Sequence, residues 1–296
     1  MKYYIAGNRG LVGTHYTALI TNAAGDNSST IDYNSYDQTV AAIATHTPTH
    51  VVINAATVGG LQEDLDLSFD LMIKNLRIQN NLFESSALHN VERLLLQGST
   101  CSYPVTIQQP YVEEQLMQGA PHEIYLPTAM PKLMGMYQCR ASNAKRNTKW
   151  RTAINSNMFG PNDRIGEHAH VIGALMQKFV TAVREDLTEI EIWGSGDQSR
   201  DLIYIKDAVR AMDIILNNDV YDTVNIASGY EITIKELADL LKKISGFTGK
   251  LWYNSNRPEG IKKRSIDNSK LLELGWRPEY DLEHALTETY EWYIKQ

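Results

Sequence analysis

Cysteine is scarce in this chain of 296 residues, which contains only Cys101 and Cys139. Two cysteines are too few for a disulfide framework, so a reducing, cytoplasmic setting is expected. No apolar run is long enough to span a bilayer, so no membrane association is expected. The first residues, Met1 to Gly7, lead directly into an apolar strand rather than a basic region with an apolar core, so no signal peptide is expected.

Positive charge is also in short supply, since 28 Lys and Arg residues face 35 Asp and Glu residues. The net charge of -7 argues against nucleic acid as a partner, whereas a small anionic ligand needs only a few local donors. Low-complexity tracts and internal repeats are absent, and no metal site is expected. The length and the 43% of hydrophobic residues suit one large α/β domain, or a domain with a smaller appendage.

A glycine-rich turn follows the first apolar segment. Tyr3–Ala6 predicts a strand, and Gly7, Gly10 and Gly13 then precede a helix predicted over 14–22. This spacing tightens the turn, lets a pyrophosphate approach backbone N–H groups and lets the helix pack on the sheet. The glycine spacing is GxxGxxG, a variant of the dinucleotide-binding pattern GxGxxG. The alternative interpretation is a glycine-rich turn that binds no ligand. We interpret it as a dinucleotide site.

The second strand bears on the choice of cofactor. Residues 23–29 look like a loop, so this strand is predicted at Thr30–Tyr33. Asp32 lies near the position at which an acidic residue holds the adenosine ribose, which favours NAD. Arg9, inside the glycine loop, would instead meet a 2′-phosphate, which favours NADP. The residues leave both cofactors open.

Apolar segments and amphipathic segments alternate along most of the chain, which is typical of a Rossmann-like, doubly wound parallel sheet. Further strands are predicted at 50–56, 93–97, 151–156, 189–193 and 224–226, and further helices at 70–87, 130–143, 168–179, 204–217, 234–244 and 282–293. The pattern changes after Pro161. We expect a cofactor-binding domain over 1–160 and about 201–229, and a smaller, mostly C-terminal substrate-binding lobe over about 161–200 and 230–296.

The segment Gly98–Pro104, together with Lys132, is the predicted centre of the site. It leaves the strand over 93–97 at its carboxyl edge, where open α/β sheets bind ligands. Ser99 and Cys101 would there be able to touch a reacting carbonyl or an acidic C–H group. The alternative is an ordinary strand exit with a buried thiol.

Together these segments resemble the extended short-chain dehydrogenase/reductase family and, more narrowly, its GDP-L-fucose synthase branch. The resemblance covers almost the whole chain and depends on these motifs: Gly7–Gly13, Ala55-Ala56 followed by Val58-Gly59-Gly60, Gly98–Pro104, Asn157–Asp163, His170-Val171-Ile172 and Trp193–Gly196. The loop with Cys101 and the segment with His170 single out this branch. The resemblance implies an NADP-dependent homodimer, with NAD as the other possible cofactor, that epimerises C3 and C5 and reduces C4 of a GDP-4-keto-6-deoxy-hexose.

The resemblance also implies roles for individual residues. Cys101 and His170 would move protons at C3 and C5, since a thiol and an imidazole both titrate near neutrality. Ser99 would bond the C4 oxygen and Lys132 the nicotinamide ribose. The implied cofactor-binding residues are Gly7, Asn8, Arg9, Gly10, Leu11, Val12, Gly13, Ala55, Ala56, Lys132, Asn155, Asn157, Met158 and His170, and the implied substrate-binding residues are Lys178, Trp193, Arg200 and Arg264. Taken alone, Cys101 has a buried inert thiol as its alternative and Lys132 a solvated helix lysine, while a helix-start histidine explains His170 better. Solvated charges or a core aromatic also better explain the four substrate residues, Lys178, Trp193, Arg200 and Arg264.

The chain departs from the family at Thr128, which stands where the family has a proton-donating tyrosine four residues before the lysine. A threonine hydroxyl is a weaker acid than a phenol and reaches less far. Tyr125 takes its place, or reduction is lost while 3,5-epimerisation survives, or the threonine was introduced into this particular chain. The second-strand region also lacks the family's arginine for the 2′-phosphate. A catalytically weak protein that binds a nucleotide sugar is the alternative outside enzymes. Pro131 is expected in the first turn of the helix that carries Lys132.

Overall fold

The computed structural model describes residues 1–57, 68–166, 169–257 and 261–296. Its strands are β1 (Tyr3–Ala6), β2 (Ala24–Asp26), β3 (His50–Ile53), β4 (Arg93–Ser99), β5 (Lys149–Asn155), β6 (Asn157–Phe159), β7 (Glu189–Trp193), β8 (Ser199–Tyr204), β9 (Thr223–Ile226), β10 (Glu231–Thr233) and β11 (Lys250–Asn254). Six of them form one parallel sheet in the order β2-β1-β3-β4-β5-β9. The predicted Rossmann-like sheet is confirmed.

Helices cover both faces of this sheet. They are α1 (Leu11–Leu19), α2 (Tyr36–His46), α3 (Ser68–Leu88), α4 (Leu126–Arg146), α5 (Val171–Arg184), α6 (Ile205–Asn217), α7 (Ile234–Ser245), α8 (Ser269–Glu273) and α9 (Leu282–Tyr293). Alternate residues of a strand point to opposite faces. Tyr3 and Ile5 of β1 therefore join a core with α5 and α6, while Tyr4 and Ala6 join a separate core with α2 and α3. No described helix is both long and apolar enough to cross a membrane.

The remaining five strands form two smaller sheets. In the first, β8 pairs in parallel with β6 and antiparallel with β10, and in the second β7 pairs in parallel with β11. Two predicted substrate residues lie here, Arg200 within β8 and Trp193 at the end of β7. The sequence pattern did not predict α2, α8, β6, β8, β10 or β11.

The second strand is the clearest error of the sequence-based prediction. It lies at Ala24–Asp26, within the segment that looked like a loop, and not at Thr30–Tyr33. Alanine, glycine and aspartate have low strand propensity, so pairing with β1 alone defines the strand. Ile31 and Tyr33 are nevertheless buried, which explains the apolar pattern that suggested a strand there.

Three helices begin three or more residues away from their predicted starts. Helix α1 begins at Leu11 rather than at 14, because Gly10 is its N-cap. Helix α4 begins at Leu126 rather than at 130, so Pro131 lies in its second turn and not in its first. Helix α5 begins at Val171, with His170 as its N-cap. The predicted start at 168 lies outside the described residues, as does the motif at 58–60.

Candidate active site

A cavity of about 670 Å³ opens at the carboxyl ends of β1, β2 and β3, and is called here the cofactor cavity. The residues that line it are Gly7, Arg9, Gly10, Asn27, Ser28, Ser29, Ile31, Asp32, Tyr33, Asn34, Asn54, Ala55, Ala56, Thr57, Lys74 and Ile78. Six of the predicted residues therefore meet in one place: Gly7, Arg9, Gly10, Asp32, Ala55 and Ala56.

The glycine loop needs two of its glycines for steric reasons. Gly7 has φ of +85°, and a Cβ there would come within 2.9 Å of the backbone nitrogen of Ala55. A Cβ at Gly13 would lie 2.0 Å from the carbonyl oxygen of Gly7. Gly10 differs, because a Cβ there would meet nothing closer than 3.9 Å. It lies on the cavity wall, at the start of a helix whose first turn has no acidic residue, so an anion can approach the free N–H groups.

The other predicted loop residues hold the loop in place. The Asn8 amide donates to the carbonyl of Gly25 (2.8 Å) and accepts from the Asn27 amide (3.0 Å), which ties the loop to β2. Leu11 and Val12 pack against the main core. On the cavity wall, both polar side-chain atoms of Asn54 are buried and have no partner among the described residues. Such an amide is expected to bind a ligand, and the cavity therefore fits a dinucleotide.

Charge in the cofactor cavity favours a phosphate over a bare ribose. The carboxylate at the end of β2 belongs to Asp26, and it already accepts from the Tyr4 hydroxyl (3.0 Å) and the Thr30 hydroxyl (2.9 Å). Asp32 does line the cavity, where hydrogen bonds from Asn34 lower the pKa of its carboxyl. Two cations, Arg9 and Lys74, line the same wall, together with two serine hydroxyls. The sequence pattern did not single out Lys74, because only the fold brings α3 to this cavity.

A second cavity, of about 260 Å³, lies at the carboxyl end of β4, and is called here the Cys101 cavity. Its lining residues are Thr100, Cys101, Tyr103, Val105, Gln109, Tyr111, His122, Tyr125, Ile261 and Arg264. The side chain of Ser99 accepts from the backbone N–H of Cys101 (3.2 Å), which starts a 3₁₀ turn and turns the chain into the cavity wall. The half-buried thiol receives a hydrogen bond from Nη1 of Arg264 (3.4 Å). A guanidinium so placed stabilises negative charge on sulfur.

Arg264 joins the thiol to the rest of this cavity. Its side chain is only 9% exposed, its Nε has no partner among the described residues, and its guanidinium lies 5.6 Å from the ring centroid of Tyr125. Arg200 is close by and donates to the carbonyl oxygens of Ser199 and Ile261, both at 2.7 Å. Burial and then the charge of Arg264 lower the pKa of Arg200. The structure thus brings Cys101, Arg200 and Arg264 together.

Helix α4 presents Thr128 and Lys132 one turn apart on one face. The Thr128 hydroxyl donates to the backbone carbonyl of Tyr125 (3.2 Å). Burial lowers the pKa of Lys132 to about 8, and this ammonium has no hydrogen bond or ion pair within the described ranges. A lysine held in this way is suited to bind the hydroxyls of a ligand.

The match to known proteins covers most of the chain, since residues 3–227 match the NAD dependent epimerase/dehydratase family. The chain belongs to this family. GDP-L-fucose synthase 1 of Arabidopsis thaliana is 33% identical over 99% of this chain and 93% of its own length. GDP-L-fucose synthase of Escherichia coli (strain K12) is 28% identical over 99% of this chain and 97% of its own. The predicted resemblance is confirmed, and the chain is a nucleotide-sugar epimerase/reductase enzyme.

Solved structures agree with this membership. MlghC, a GDP-mannoheptose C4 reductase from Campylobacter jejuni with NADP bound, superimposes with a TM-score of 0.87. It is 28% identical in sequence, and the match covers 99% of this chain and 98% of that one. The NAD dependent epimerase/dehydratase fold is therefore shared across the described parts of the chain.

Three further residues predicted to bind the cofactor line neither cavity of this epimerase/dehydratase family member. The amide of buried Asn155 donates to the carbonyl of Gly98 (3.3 Å) and to the side chain of Gln97, which fixes β5 against the end of β4. Asn157 donates to the carbonyl of Asp201 (3.1 Å), and Met158 packs against the main core. Their observed contacts are with protein and not with either cavity.

His170 lies apart from the Cys101 cavity, whose lining residues do not include it. It is the N-cap of α5, and its side chain is exposed and makes no capping hydrogen bond. The structure does not bring the predicted proton-transfer pair, Cys101 and His170, together on one cavity wall, so that pair stays a prediction.

Trp193 and Lys178 come together, as a shared substrate site requires. Trp193 is 52% exposed, and Nζ of Lys178 lies 5.3 Å from its ring centroid while donating to the carbonyl of Glu191 (2.6 Å). The guanidinium of Arg257 lies 5.0 Å from the same ring. Arg257 was missed in the sequence, because one arginine in a polar stretch looks like any solvated charge.

Proposed function

We propose that this enzyme is a GDP-4-keto-6-deoxy-hexose epimerase/reductase, which epimerises C3 and C5 and reduces C4 with NADPH. The single observation that carries the proposal is the Cys101 thiol on the wall of a cavity, with the buried Arg264 guanidinium 3.4 Å from its sulfur. This cavity lies at the carboxyl end of β4, in the same sheet whose β1, β2 and β3 form the cofactor cavity. The relatives named as GDP-L-fucose synthases support the choice of substrate.

The epimerase half of the reaction is proton transfer at carbon. A 4-keto group acidifies the hydrogens on C3 and C5, so a base removes a proton and an acid returns one to the opposite face. Cys101 is the proposed base, and Arg264 stabilises its thiolate. Nε of Arg264, which has no partner within the described ranges, is the proposed donor for a substrate oxygen. His170, exposed at the start of α5, is the proposed second acid/base, as the family resemblance implies.

NADP(H) is the proposed cofactor. When bound, it supplies the hydride for C4. The N-terminus of α1 would hold its pyrophosphate, and Arg9 and Lys74, with Ser29, would hold its 2′-phosphate. Lys132 would bind the ribose hydroxyls. Support for NADP over NAD comes from Asp26, whose carboxylate is already satisfied by protein hydroxyls.

The nucleotide half of the substrate is assigned to the smaller sheets. Trp193 would pack on an apolar ring surface, while Lys178, Arg200 and Arg264 would pair with the diphosphate and the sugar. The chain would thus divide into a cofactor-binding part (1–160 and about 201–229) and a substrate-binding lobe (about 161–200 and 230–296).

The enzyme is proposed to work as a cytoplasmic homodimer. The two unpaired thiols suit a reducing compartment. Helices α3 and α4 pack on each other, with Gln138 bonded to both Gln79 (3.0 Å) and Asn80 (2.8 Å), and both helices expose large apolar side chains. Such a surface is suited to pair with a second copy.

A 3,5-epimerase with little or no reductase activity is the second candidate function. The hydroxyl of Thr128, at the position where the family has its acidic tyrosine, is bonded to the helix backbone. General acid–base groups contribute about 10²–10⁴-fold to a rate. An enzyme with no substitute acid would therefore keep proton exchange at carbon and lose most of the reduction.

Incubation with GDP-4-keto-6-deoxy-mannose and NADPH in deuterated water tests the proposal. We expect NADPH absorbance to fall and deuterium to enter C3 and C5. Deuterium without loss of absorbance would identify the epimerase alone. Absence of both signals, in a protein that still binds the nucleotide sugar, would contradict the proposal and leave a nucleotide-sugar-binding protein.

A further inference from the structure

Reduction of a ketone needs a proton for the oxygen, and Thr128 is badly placed to give one. Its hydroxyl donates to the carbonyl of Tyr125 (3.2 Å), so its proton is held by the helix backbone. An aliphatic hydroxyl is also a far weaker acid than a phenol. If this enzyme reduces C4, another group has to donate the proton.

The Cys101 cavity contains three tyrosines, and two of them have their hydroxyls engaged. The Tyr103 hydroxyl donates to the side chain of Asn225 (2.7 Å), and burial raises its pKa well above the ordinary value. The Tyr111 hydroxyl accepts from the Gln109 amide (3.3 Å). The hydroxyl of Tyr125, in contrast, has no hydrogen-bond partner within the part of the chain that the structure describes. Tyr111 only accepts, so its proton stays available, but its ring is buried and stacked on Tyr103. Tyr125 is half-buried and is the one of the three whose hydroxyl has no partner among the described residues.

Helix α4 places Tyr125 on the same side as Thr128 and Lys132. It is the N-cap of α4, three residues before Thr128 and seven before Lys132, so all three share one side of the helix. The helix begins here, four residues earlier than the sequence predicts, which is why the sequence pattern left Tyr125 in a loop. Proline at the second position, Pro127, suits this start.

Two cations surround the phenol. The guanidinium of Arg264 lies 5.6 Å from the ring centroid of Tyr125, and Arg200 is close enough for its charge to interact with that of a Tyr125 phenolate. These guanidiniums are charge partners for the phenolate that remains after a proton is donated. The ring of the exposed His122 lies 5.8 Å from the ring of Tyr125, centroid to centroid.

We propose that Tyr125 is the proton donor for C4 reduction, in place of the tyrosine missing at position 128. The inference rests on the proposed function. As a hydride reaches C4, the C=O π pair moves to the oxygen, which takes the proton from Oη of Tyr125. The phenolate then regains a proton from solvent. One NADPH is oxidised, and one ketone is reduced to an alcohol.

The test is Tyr125→Phe, which keeps the ring against Arg264 and removes only the acid. With GDP-4-keto-6-deoxy-mannose and NADPH in deuterated water, we expect kcat for NADPH oxidation to fall about 10²–10⁴-fold with little change in KM. Deuterium should still enter C3 and C5 at a rate within a few-fold of the unaltered enzyme. The matched control is Tyr230→Phe, at a tyrosine that is 60% exposed, and it should change neither rate.

Two results with Tyr125→Phe would overturn the proposal. One is oxidation within a few-fold of the unaltered enzyme. The other is an equal loss of oxidation and of deuterium entry, which would place Tyr125 in proton transfer at carbon or in the structure of the site. Deuterium entry without NADPH oxidation in the unaltered enzyme would also overturn the role of Tyr125. The proposed epimerase activity would then remain supported. The proposed function itself fails only if the unaltered enzyme gives neither signal.

Discussion

At the scale of single residues, the two cysteines have opposite surroundings. Cys139 is 1% exposed, and burial raises the pKa of its thiol to about 12. Cys101 is half-buried on a cavity wall beside a guanidinium. Because the thiolate is the reactive form, iodoacetamide at pH 8 should label Cys101 at least ~100-fold faster than Cys139. Peptide mass spectrometry of timed samples measures both rates, and equal rates would contradict this account of the cavity.

Lys132 gives a second prediction, about stability. Burial, with no partner among the residues described, lowers the pKa of Lys132 to about 8, so the charged form destabilises the folded protein. The penalty is full below pH 8 and vanishes above the unfolded-state pKa near 10.5. Lys132→Met should therefore raise the free energy of unfolding by about 1–3 kcal/mol at pH 7, allowing for partial exposure, and by much less at pH 10.

Urea denaturation at the two pH values measures this gain. The control is Lys145→Met, at an exposed lysine of the same helix, where the change should stay within about 0.5 kcal/mol at either pH. A gain from Lys132→Met that is the same at pH 7 and pH 10 would show that charge is not its cause. We expect Lys132→Met to lose activity while it gains stability, because functional groups often lower the stability of a folded protein.

Residue identities alone predicted the glycine loop and Cys101 as site residues. They could not predict the contact of Cys101 with Arg264, because 163 residues separate the two. Nor could they show that the Thr128 hydroxyl bonds to the helix backbone, while the Tyr125 hydroxyl has no partner in the described part of the chain. Such facts depend on where a helix begins and which loop folds over it.

At the scale of elements, Pro131 in the second turn of α4 is unfavourable. It has no N–H to donate to the carbonyl of residue 127, and a proline inside a helix costs about 3 kcal/mol. Pro131→Ala should raise the free energy of unfolding by about 1–2 kcal/mol, since the less restricted unfolded chain offsets part of the gain. Pro127→Ala is the control, because the second position of a helix needs no N–H donor. Thermal unfolding measures the stability of both variants. Equal effects of Pro131→Ala and Pro127→Ala would contradict the explanation that the missing N–H inside the helix is the cause.

Elements with strong periodicity were predicted well, and short or weakly patterned ones were not. The strand over 189–193 and the helix over 282–293 were predicted with the observed bounds. The second strand was misplaced, because Ala24–Asp26 has only three small or polar residues and owes its extended form to pairing with β1. Tertiary pairing of this kind leaves no local signal in the sequence.

At the scale of the whole molecule, the exposed apolar side chains of α3 and α4 lead to a prediction about assembly. Phe69 is 74% exposed, Met134 50% and Tyr137 44%. Light scattering after size exclusion should give the mass of two chains. The double variant Met134→Glu/Tyr137→Glu should give one chain, because charge is costly at an apolar interface.

Val220→Glu is the control for this experiment. Val220 is 72% exposed but lies outside both helices, so the dimer should persist. A monomeric unaltered protein, or dissociation by Val220→Glu as well, would contradict the proposed interface.

The sequence predicted the class of the whole molecule and the carboxyl edge of the sheet as its functional edge. It could not show that the cofactor cavity and the Cys101 cavity are separate, nor that His170 lies outside the second one. The positions of the cavities depend on where loops such as 261–266 pack in the folded chain. The order of residues in the sequence does not reveal these positions.

The central claim is that Cys101 moves the proton at carbon. Its most direct test is the rate at which deuterium enters C3 and C5 of GDP-4-keto-6-deoxy-mannose. NMR measures this rate with the unaltered enzyme, Cys101→Ser and Cys139→Ser. We expect Cys101→Ser to lower the rate of entry by about 100-fold or more, while Cys139→Ser leaves it within a few-fold. NADPH binding should be similar in all three. Entry at an unchanged rate in Cys101→Ser would contradict the account.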